Sequence, residues 1–171
     1  GGGWAVGDKD FGTRPFFRHL TAQGHTVMDA ACRLIPEVDI YGMVGDAKRA
    51  VGWIKANASR YGVNPEKIVL GGSSAGAHIA LLAAYTPQHP EFTPEDLKSA
   101  DLSVCGVISY YGNTDLVAVY GIFDVEKTSA KLPPVPIGTK VDPKKAFNYA
   151  GRLDILLGGH PEEVPDTYRL A

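Results

Sequence analysis

Cysteine is nearly missing from this chain: Cys32 and Cys105 are the only two in 171 residues. Both sit in apolar stretches and read as buried, reduced thiols. No Cys-x-x-Cys or His-x-x-x-His spacing occurs, so no metal site is expected and no cofactor is implied. No apolar run reaches the roughly 20 residues that cross a bilayer, and no secretory signal is visible. Basic clusters are missing too. The 17 Lys and Arg residues are scattered, and the formal net charge is −2. Nucleic acid and anionic membrane surfaces are therefore not expected partners. An initiator Met is also lacking: "GGGWAVGDKD" opens inside what reads as a loop, and "PDTYRLA" closes without a structural stop. The expectation is a piece of a longer protein, truncated at both ends. Oligomeric state and compartment leave no mark in the sequence, and the cytoplasm is the default.

What is present is ordinary for a globular domain. Hydrophobic residues make up 44% and charged residues 21%, and a chain of this length buries about 70% of its unfolded surface. One domain over residues 1–171 is expected. Residues 24–35, "GHTVMDAACRLI", form a mostly apolar run closed by Pro36, which suits a strand covered on both faces. Met43, Ala47, Ala50, Val51 and Ile54 recur at three- and four-residue steps, so residues 43–60 read as an amphipathic helix. "KIVLGG" is a second short strand after the turn residues "YGVNP". Residues 75–85 are helix formers stopped by Pro87. "SVCGVISYYG" (103–112) is a third buried strand. Strand, helix, strand, helix, strand in this order predicts an α/β fold with parallel strands and right-handed crossovers. Residues 117–142, rich in Pro and polar residues, read as a loop or insertion. "PKKAFNYAGRLDILLGG" reads as helical and "PEEVPDTYRL" as a short helical turn. Near the start, "RPFFRHL" reads as a helix with Phe16, Phe17 and Leu20 facing the core.

The segment "EKIVLGGSSAGAHIALLAAY" (66–85) places six small residues, Gly71 to Gly76, between a strand and a helix. A phosphate-binding loop has the same setting, and Gly71 and Gly76 have its glycine separation. That loop then needs Lys and Ser or Thr, and here Ala77 and His78 follow. The Gly-x-Gly-x-x-Gly dinucleotide pattern finds no register either. Gly-x-Ser-x-Gly fits at every position, as Gly72-Ser73-Ser74-Ala75-Gly76. A nucleophilic serine must sit on a strained strand-to-helix turn with its hydroxyl exposed, and glycines two residues away on either side leave room for that backbone. Ser73 is the rival, but its register puts Ala75 where the second glycine belongs. Ser74 is the candidate nucleophile, set against a bland alternative in which small residues merely let helix and strand pack closely. The Ala75 N–H, at the positive end of the following helix, is a ready oxyanion donor.

The N-terminal glycines, "CRLIPE" (32–37), "DAKRAVGWIKANASRYGVNPEKI" and "GGSSAGAHIALLAAY" together resemble an α/β-hydrolase of the hormone-sensitive-lipase type, a family that includes bacterial carboxylesterases. "GVISYYGNTDL" and "LLGGHPEEVPDTYRLA" are similar to its later segments, while the stretch near 117–142 finds no match. The resemblance implies an oxyanion loop of the His-Gly-Gly-Gly kind, in which Gly2 and Gly3 supply the remaining N–H donors and the His precedes Gly1. Cys32 departs from the family, where a Tyr is common, a change expected to touch packing rather than chemistry. The implied reaction is hydrolysis of small-molecule carboxylic esters of short or medium acyl length through a Ser74 acyl-enzyme.

The triad partners are harder to place. In this fold they follow the serine in the order acid, then His, and the resemblance puts both after residue 171. Among residues at hand, His78 lies one helical turn beyond Ser74, His89 sits in a Pro-bounded loop, and His160 follows two glycines at a helix start. Each reads as structural: packing or capping, solvated, and cap-region respectively. Asp115 follows the third strand, where some hydrolases place the acid, but capping the next element is the simpler role. Asp29 and Asp46 read as structural, and His19 and His25 precede the serine. The chain by itself is thus expected to be nearly inert. Two further readings stand beside the esterase: an amide or peptide hydrolase using the same elbow, and a non-catalytic or truncated hydrolase-like module.

Overall fold

The structure is a computed structural model that describes residues 2–10, 12–123 and 149–171. Its frame is the expected α/β unit. Strands β1 (Val69–Ser73) and β2 (Gly106–Tyr110) run parallel, in register from Val69 opposite Gly106 to Ser73 opposite Tyr110. Helix α4 (Ala75–Tyr85) crosses over between them and packs on both strands and on α2 (Ile40–Ala56). Helices α1 (Arg14–Ala22) and α3 (Ala58–Tyr61) flank α2 in sequence, and α5 (Leu116–Phe123), α6 (Tyr149–Leu157) and α7 (Pro165–Leu170) follow the sheet.

Local chemistry sets the helix ends. The Asp39 carboxylate accepts the Gly42 N–H at 2.9 Å, starting α2 three residues ahead of its first apolar repeat. Gly62, at φ +64°, closes α3 in the left-handed conformation that favours glycine. Ile40, Met43 and Val44 of α2 are fully buried, and they join one core with Ile79 and Ala83 of α4, Leu116 and Tyr120 of α5, Leu153, Leu156 and Leu157 of α6, and Tyr168 of α7. Burying one such aliphatic side chain contributes about 1.5–3 kcal/mol. Lys48 is buried inside this layer, its ammonium donating to the Thr86 carbonyl and to the Thr93 hydroxyl (3.0 Å), which ties α2 to the loop after α4.

Several expectations change. Residues 24–35 form no strand: among the described residues they share no ladder, most are exposed, and the sheet has two strands. The stretch is held instead through side chains and its end, with the Asp29 carboxylate accepting the Asp10 N–H (2.6 Å), Arg33 clasping Asp46, and the Ile35 N–H donating to the Trp4 carbonyl (3.0 Å). Apolar content alone does not make a strand without a neighbour to take its backbone groups. Helix α1 forms, but none of its residues is buried and Phe16 is 45% exposed, edge-on to Tyr110 with ring centroids 6.4 Å apart. Residues 117–123 are helical, begun by Asp115, whose carboxylate accepts the Ala118 N–H at 2.9 Å. The rest of the expected loop, 124–142, lies outside the described residues. Cys32 is half-buried and Cys105 exposed, both as free thiols. Burial raises the Cys32 thiol above its ordinary value, with Asp46 adding to the effect, so it stays protonated at neutral pH.

Candidate active site

Strand β1 ends at Ser73, which is paired in the ladder opposite Tyr110. Ser74 then turns the chain with φ +53° and ψ −124°, a conformation L-residues rarely adopt, and α4 begins at Ala75. Such a residue stores about 1–3 kcal/mol of strain, which persists only where its surroundings hold it. They do so here at both ends: the Ser74 N–H donates to the Tyr110 carbonyl (2.9 Å), and its carbonyl accepts the His78 N–H (3.1 Å). Gly72 is required for the close approach, since a Cβ there would fall 2.3 Å from the Gly76 carbonyl oxygen and 2.7 Å from the Ala77 nitrogen. On the far side, a Cβ on Gly112 would lie 2.8 Å from the Ala77 Cβ, so α4 is seated against both strands. Ser74 is partly exposed and Ala75 is buried at the helix start. The strained residue is Ser74 and not Ser73.

The glycine-rich opening lies against the same helix. Gly2, Gly3 and Trp4 have φ of +79°, +54° and +59°, so three consecutive residues are left-handed. The Gly2 carbonyl accepts the N–H groups of both Ala5 and Val6 at 3.2 Å, closing a tight turn. A Cβ on Gly2 would sit 1.9 Å from the Val6 carbonyl oxygen, so only glycine fits. Trp4 is 1% exposed, and its indole Nε1–H donates to His78 Nδ1 at 3.3 Å, the rings edge-to-face at 5.6 Å. His78 is one turn along α4 from Ser74, so this contact docks the loop of Gly2 and Gly3 on the first turns of the elbow helix. The loop that carries Gly2 and Gly3 is thus anchored, through Trp4, on the helix that Ala75 begins.

Sequence reading did not single out two residues that brace this loop. Trp4 is one, flagged only by its position after the glycine run. Arg152 is the other: its Nη1 donates to the carbonyls of Gly2 (3.5 Å) and Gly3 (3.4 Å), while the residue is only 8% exposed. A lone Arg within the apolar run of α6 was its signal.

Most of the acid and base candidates have structural partners, and each of the five histidines of the chain lies among the described residues. Both ring nitrogens of His78 are committed, Nδ1 as acceptor from Trp4 and Nε2 as donor to the main-chain oxygen of Ala171 (2.7 Å). This fixes the neutral tautomer, and burial, opposed in part by the Ala171 contact, lowers the imidazole below its ordinary value. His160 Nδ1 accepts the Glu162 N–H (3.3 Å), and its ring stands edge-on to Tyr120 at 4.8 Å, a cap-region role. His89 is packed on Phe92, with centroids 5.7 Å apart, rather than fully solvated. His19 faces Gln23 on α1. Asp115 caps α5. Asp46 holds Arg33 through paired contacts of 2.7 and 2.9 Å; burial works to raise its carboxyl, but the guanidinium and the Arg33 N–H prevail and hold it below the usual range. Among the described residues no His, Cys, Asp and Glu grouping could hold a metal ion, and no helix is long and apolar enough to cross a membrane.

A serine held in a rarely adopted turn between a parallel strand and the helix that covers it, beside a left-handed glycine loop, is the nucleophile-elbow arrangement of an α/β-hydrolase. The comparisons sharpen this: the BD-FAE family model matches residues 1–150, and the chain belongs to that family. It is 36% identical over 115 residues to the probable carboxylic ester hydrolase LipM of Mycobacterium tuberculosis, covering 67% of this chain and 26% of that protein. Esterase LipQ of the same organism is 33% identical over 116 residues, covering 68% and 27%. Among solved structures, esterase B from Lactobacillus rhamnosis superposes with a TM-score of 0.67 at 26% identity over 98% of this chain and 47% of its own. Thermogutta terrifontis esterase 2, phosphonylated by sarin, gives 0.66 at 25% over 98% and 54%. The chain spans about a quarter of the length of these curated relatives and about half of these solved structures.

Proposed function

We propose that the protein bearing this chain is a serine carboxylic-ester hydrolase, with Ser74 as nucleophile and small-molecule esters as substrates. The observation that carries the reading is the backbone of Ser74, strained at φ +53° where β1 becomes α4. In this reading Ser74 Oγ attacks the ester carbonyl carbon while a base removes its proton. The carbonyl oxygen becomes an oxyanion, accepting from the Ala75 N–H and from the N–H groups of Gly2 and Gly3. Collapse expels the alcohol, which takes up the proton from the conjugate acid of that base, and leaves an acyl-Ser74 that water hydrolyses by the same steps in reverse. Oxyanion binding without acid and base leaves about 10³–10⁴ over the reaction in water. Because His78, His89, His160 and Asp115 are committed to packing or caps, the acid and base are proposed to come from outside residues 1–171. The similarity to esterases favours esters over peptides.

The test is intact-mass detection of fluorophosphonate labelling, on the complete encoded protein and on chain 1–171, each beside Ser74→Ala. Expected is one adduct on the complete protein, lost in the variant, with p-nitrophenyl esters cleaved and peptide amides untouched. Chain 1–171, shown folded by circular dichroism, should stay unlabelled. An adduct on the complete protein that survives Ser74→Ala removes Ser74 from the role. A complete protein that neither labels nor hydrolyses would favour the non-catalytic alternative, and labelling of 1–171 would mean a resident base.

A further inference from the structure

We infer that Arg152 is a positioning residue for the oxyanion hole, acting on the Gly3 N–H through the peptide unit that joins Gly2 to Gly3 and bracing the following unit. The inference rests on the esterase reading above. Arg152 is remote in sequence from the glycine loop and stands in α6 beside Leu153, which is fully buried. A guanidinium in such a setting is costly unless its donors are used. Here Nη1 reaches the Gly2 and Gly3 carbonyls at 3.5 and 3.4 Å.

The geometry of the peptide bond turns this contact into a statement about the opposite side. In a trans peptide the C=O and the following N–H point in opposite directions within one plane. Fixing the Gly2 carbonyl on Arg152 therefore aims the Gly3 N–H, one of the proposed oxyanion donors, away from Arg152, and holding the Gly3 carbonyl steadies the next peptide unit of the same turn. Polarising a carbonyl from behind also makes the linked N–H a better donor, because hydrogen bonds in series reinforce one another. The guanidinium adds a fixed positive charge behind the donors, where negative charge develops as the tetrahedral intermediate forms. The far side of the loop is held by Trp4, whose indole bonds His78 on the elbow helix. Two glycines with φ of +79° and +54° would otherwise have the widest conformational choice of any residue. The loop is clamped between α6 and α4, and its N–H groups are aimed before substrate arrives. Preorganised donors of this kind act on the transition state far more than on bound ester, so their loss falls on kcat rather than KM.

The test uses the complete protein with Arg152→Met, which keeps an apolar stem without donors or charge, and Arg152→Lys, which keeps the charge but loses the planar guanidinium that aims Nη1. Turnover is measured on a p-nitrophenyl ester and on its thiono analogue, whose sulfur is a poor acceptor for oxyanion-hole donors, with active sites counted by fluorophosphonate titration. Expected for Arg152→Met is a fall in kcat per active site of about 10- to 100-fold, below the 10²–10³ seen when a donor is removed outright. KM should stay within about twofold, the thiono substrate should lose much less, and Arg152→Lys should recover part of the loss. A purely structural role predicts fewer active sites with equal losses on both substrates, and that result overturns the inference, as does an unchanged kcat. Should Arg152→Met fail to fold, Arg152→Lys decides by the same ratio of ester to thiono rates. Wild-type protein with neither turnover nor a Ser74 adduct would sink the esterase reading itself, and the positioning role with it.

Discussion

Gly72→Ala is the sharpest single perturbation of the elbow, and Gly71→Ala beside it is its control. A Cβ at position 72 would stand 2.3 Å from the Gly76 carbonyl oxygen, 2.4 Å from its carbon and 2.7 Å from the Ala77 nitrogen. Ordinary contact begins near 3.4 Å, so β1 and α4 would have to separate by about 1 Å. All three obstructing atoms are backbone, and α4 is pinned on its other flank by Gly112, so no side chain can swing aside. Overpacking of this sort costs about 1–3 kcal/mol, and with rigid backbone on both sides the upper figure is expected. The same 1 Å displaces Ser74 from its donors, and misplacement of that size costs on the order of 10²-fold in rate. At Gly71 the nearest atoms to an added Cβ are Ile108 Cβ and O, both at 3.9 Å, and the backbone conformation is one any residue adopts. There alanine should be neutral or stabilising by about 0.4–1 kcal/mol, through lost freedom of the unfolded chain. Urea unfolding of the two variants gives the stabilities, and the rate of fluorophosphonate labelling at Ser74 in the complete protein gives the chemistry. If Gly72→Ala keeps its unfolding midpoint and labels within twofold of wild type, the steric account of the elbow is wrong. Equal damage from Gly71→Ala would show that any side chain in β1 is harmful and would refute it as well.

Two buried bases should show themselves in the dependence of stability on pH. His78 is held neutral, with burial lowering its imidazole from 6.5, so below that pH the unfolded chain takes a proton the folded chain refuses; stability is full above about pH 6.5 and declines on acidification by at most about 1.4 kcal/mol per pH unit. In His78→Gln this acid slope should shrink in urea titrations at pH 5 and 7, and an unchanged slope would contradict the assigned tautomer. Lys48 is pulled from 10.5 down to about 8 by burial, so the folded chain binds fewer protons between those values and stability should rise with pH across that window, by up to about 3 kcal/mol. Lys48→Met should flatten the rise between pH 7 and 10, and a wild-type curve already flat there would place the ammonium in water.

The parts of the chain that could be read in advance are those whose signal is local. Helix α4 was bounded at Ala75 and Tyr85 by the elbow and by Pro87, and β1 and β2 were found within a few residues because turn residues flank their short apolar runs. Ser74 was separable from Ser73 because the glycine spacing encodes a steric need within five residues. The apolar stripe puts the start of α2 three residues late, since its first turn is fixed by the Asp39 cap. For residues 117–123 the Pro-rich stretch that follows suggests a loop, while the signal for the helix is the Asp115 cap with "LVAVYGIF" directly after it.

What could not be read in advance depends on partners far away in sequence. Residues 24–35 have the composition of a buried strand, yet a strand exists only where another backbone takes its N–H and C=O groups, and the composition of one segment says nothing of that neighbour. The same holds for Phe16 and Phe17, apolar residues on a helix of which no residue is buried. Arg152 is the converse case. Its charge within an apolar helix is a local anomaly, which marks it as paired with something, but only the fold shows that its partners include the carbonyls of Gly2 and Gly3. A buried charge in a short apolar run is thus a more useful pointer to a functional site than the run's hydrophobicity is to its secondary structure. Burying the charge is tolerated only where the rest of the molecule supplies an acceptor, and here the acceptors belong to the loop expected to meet the oxyanion.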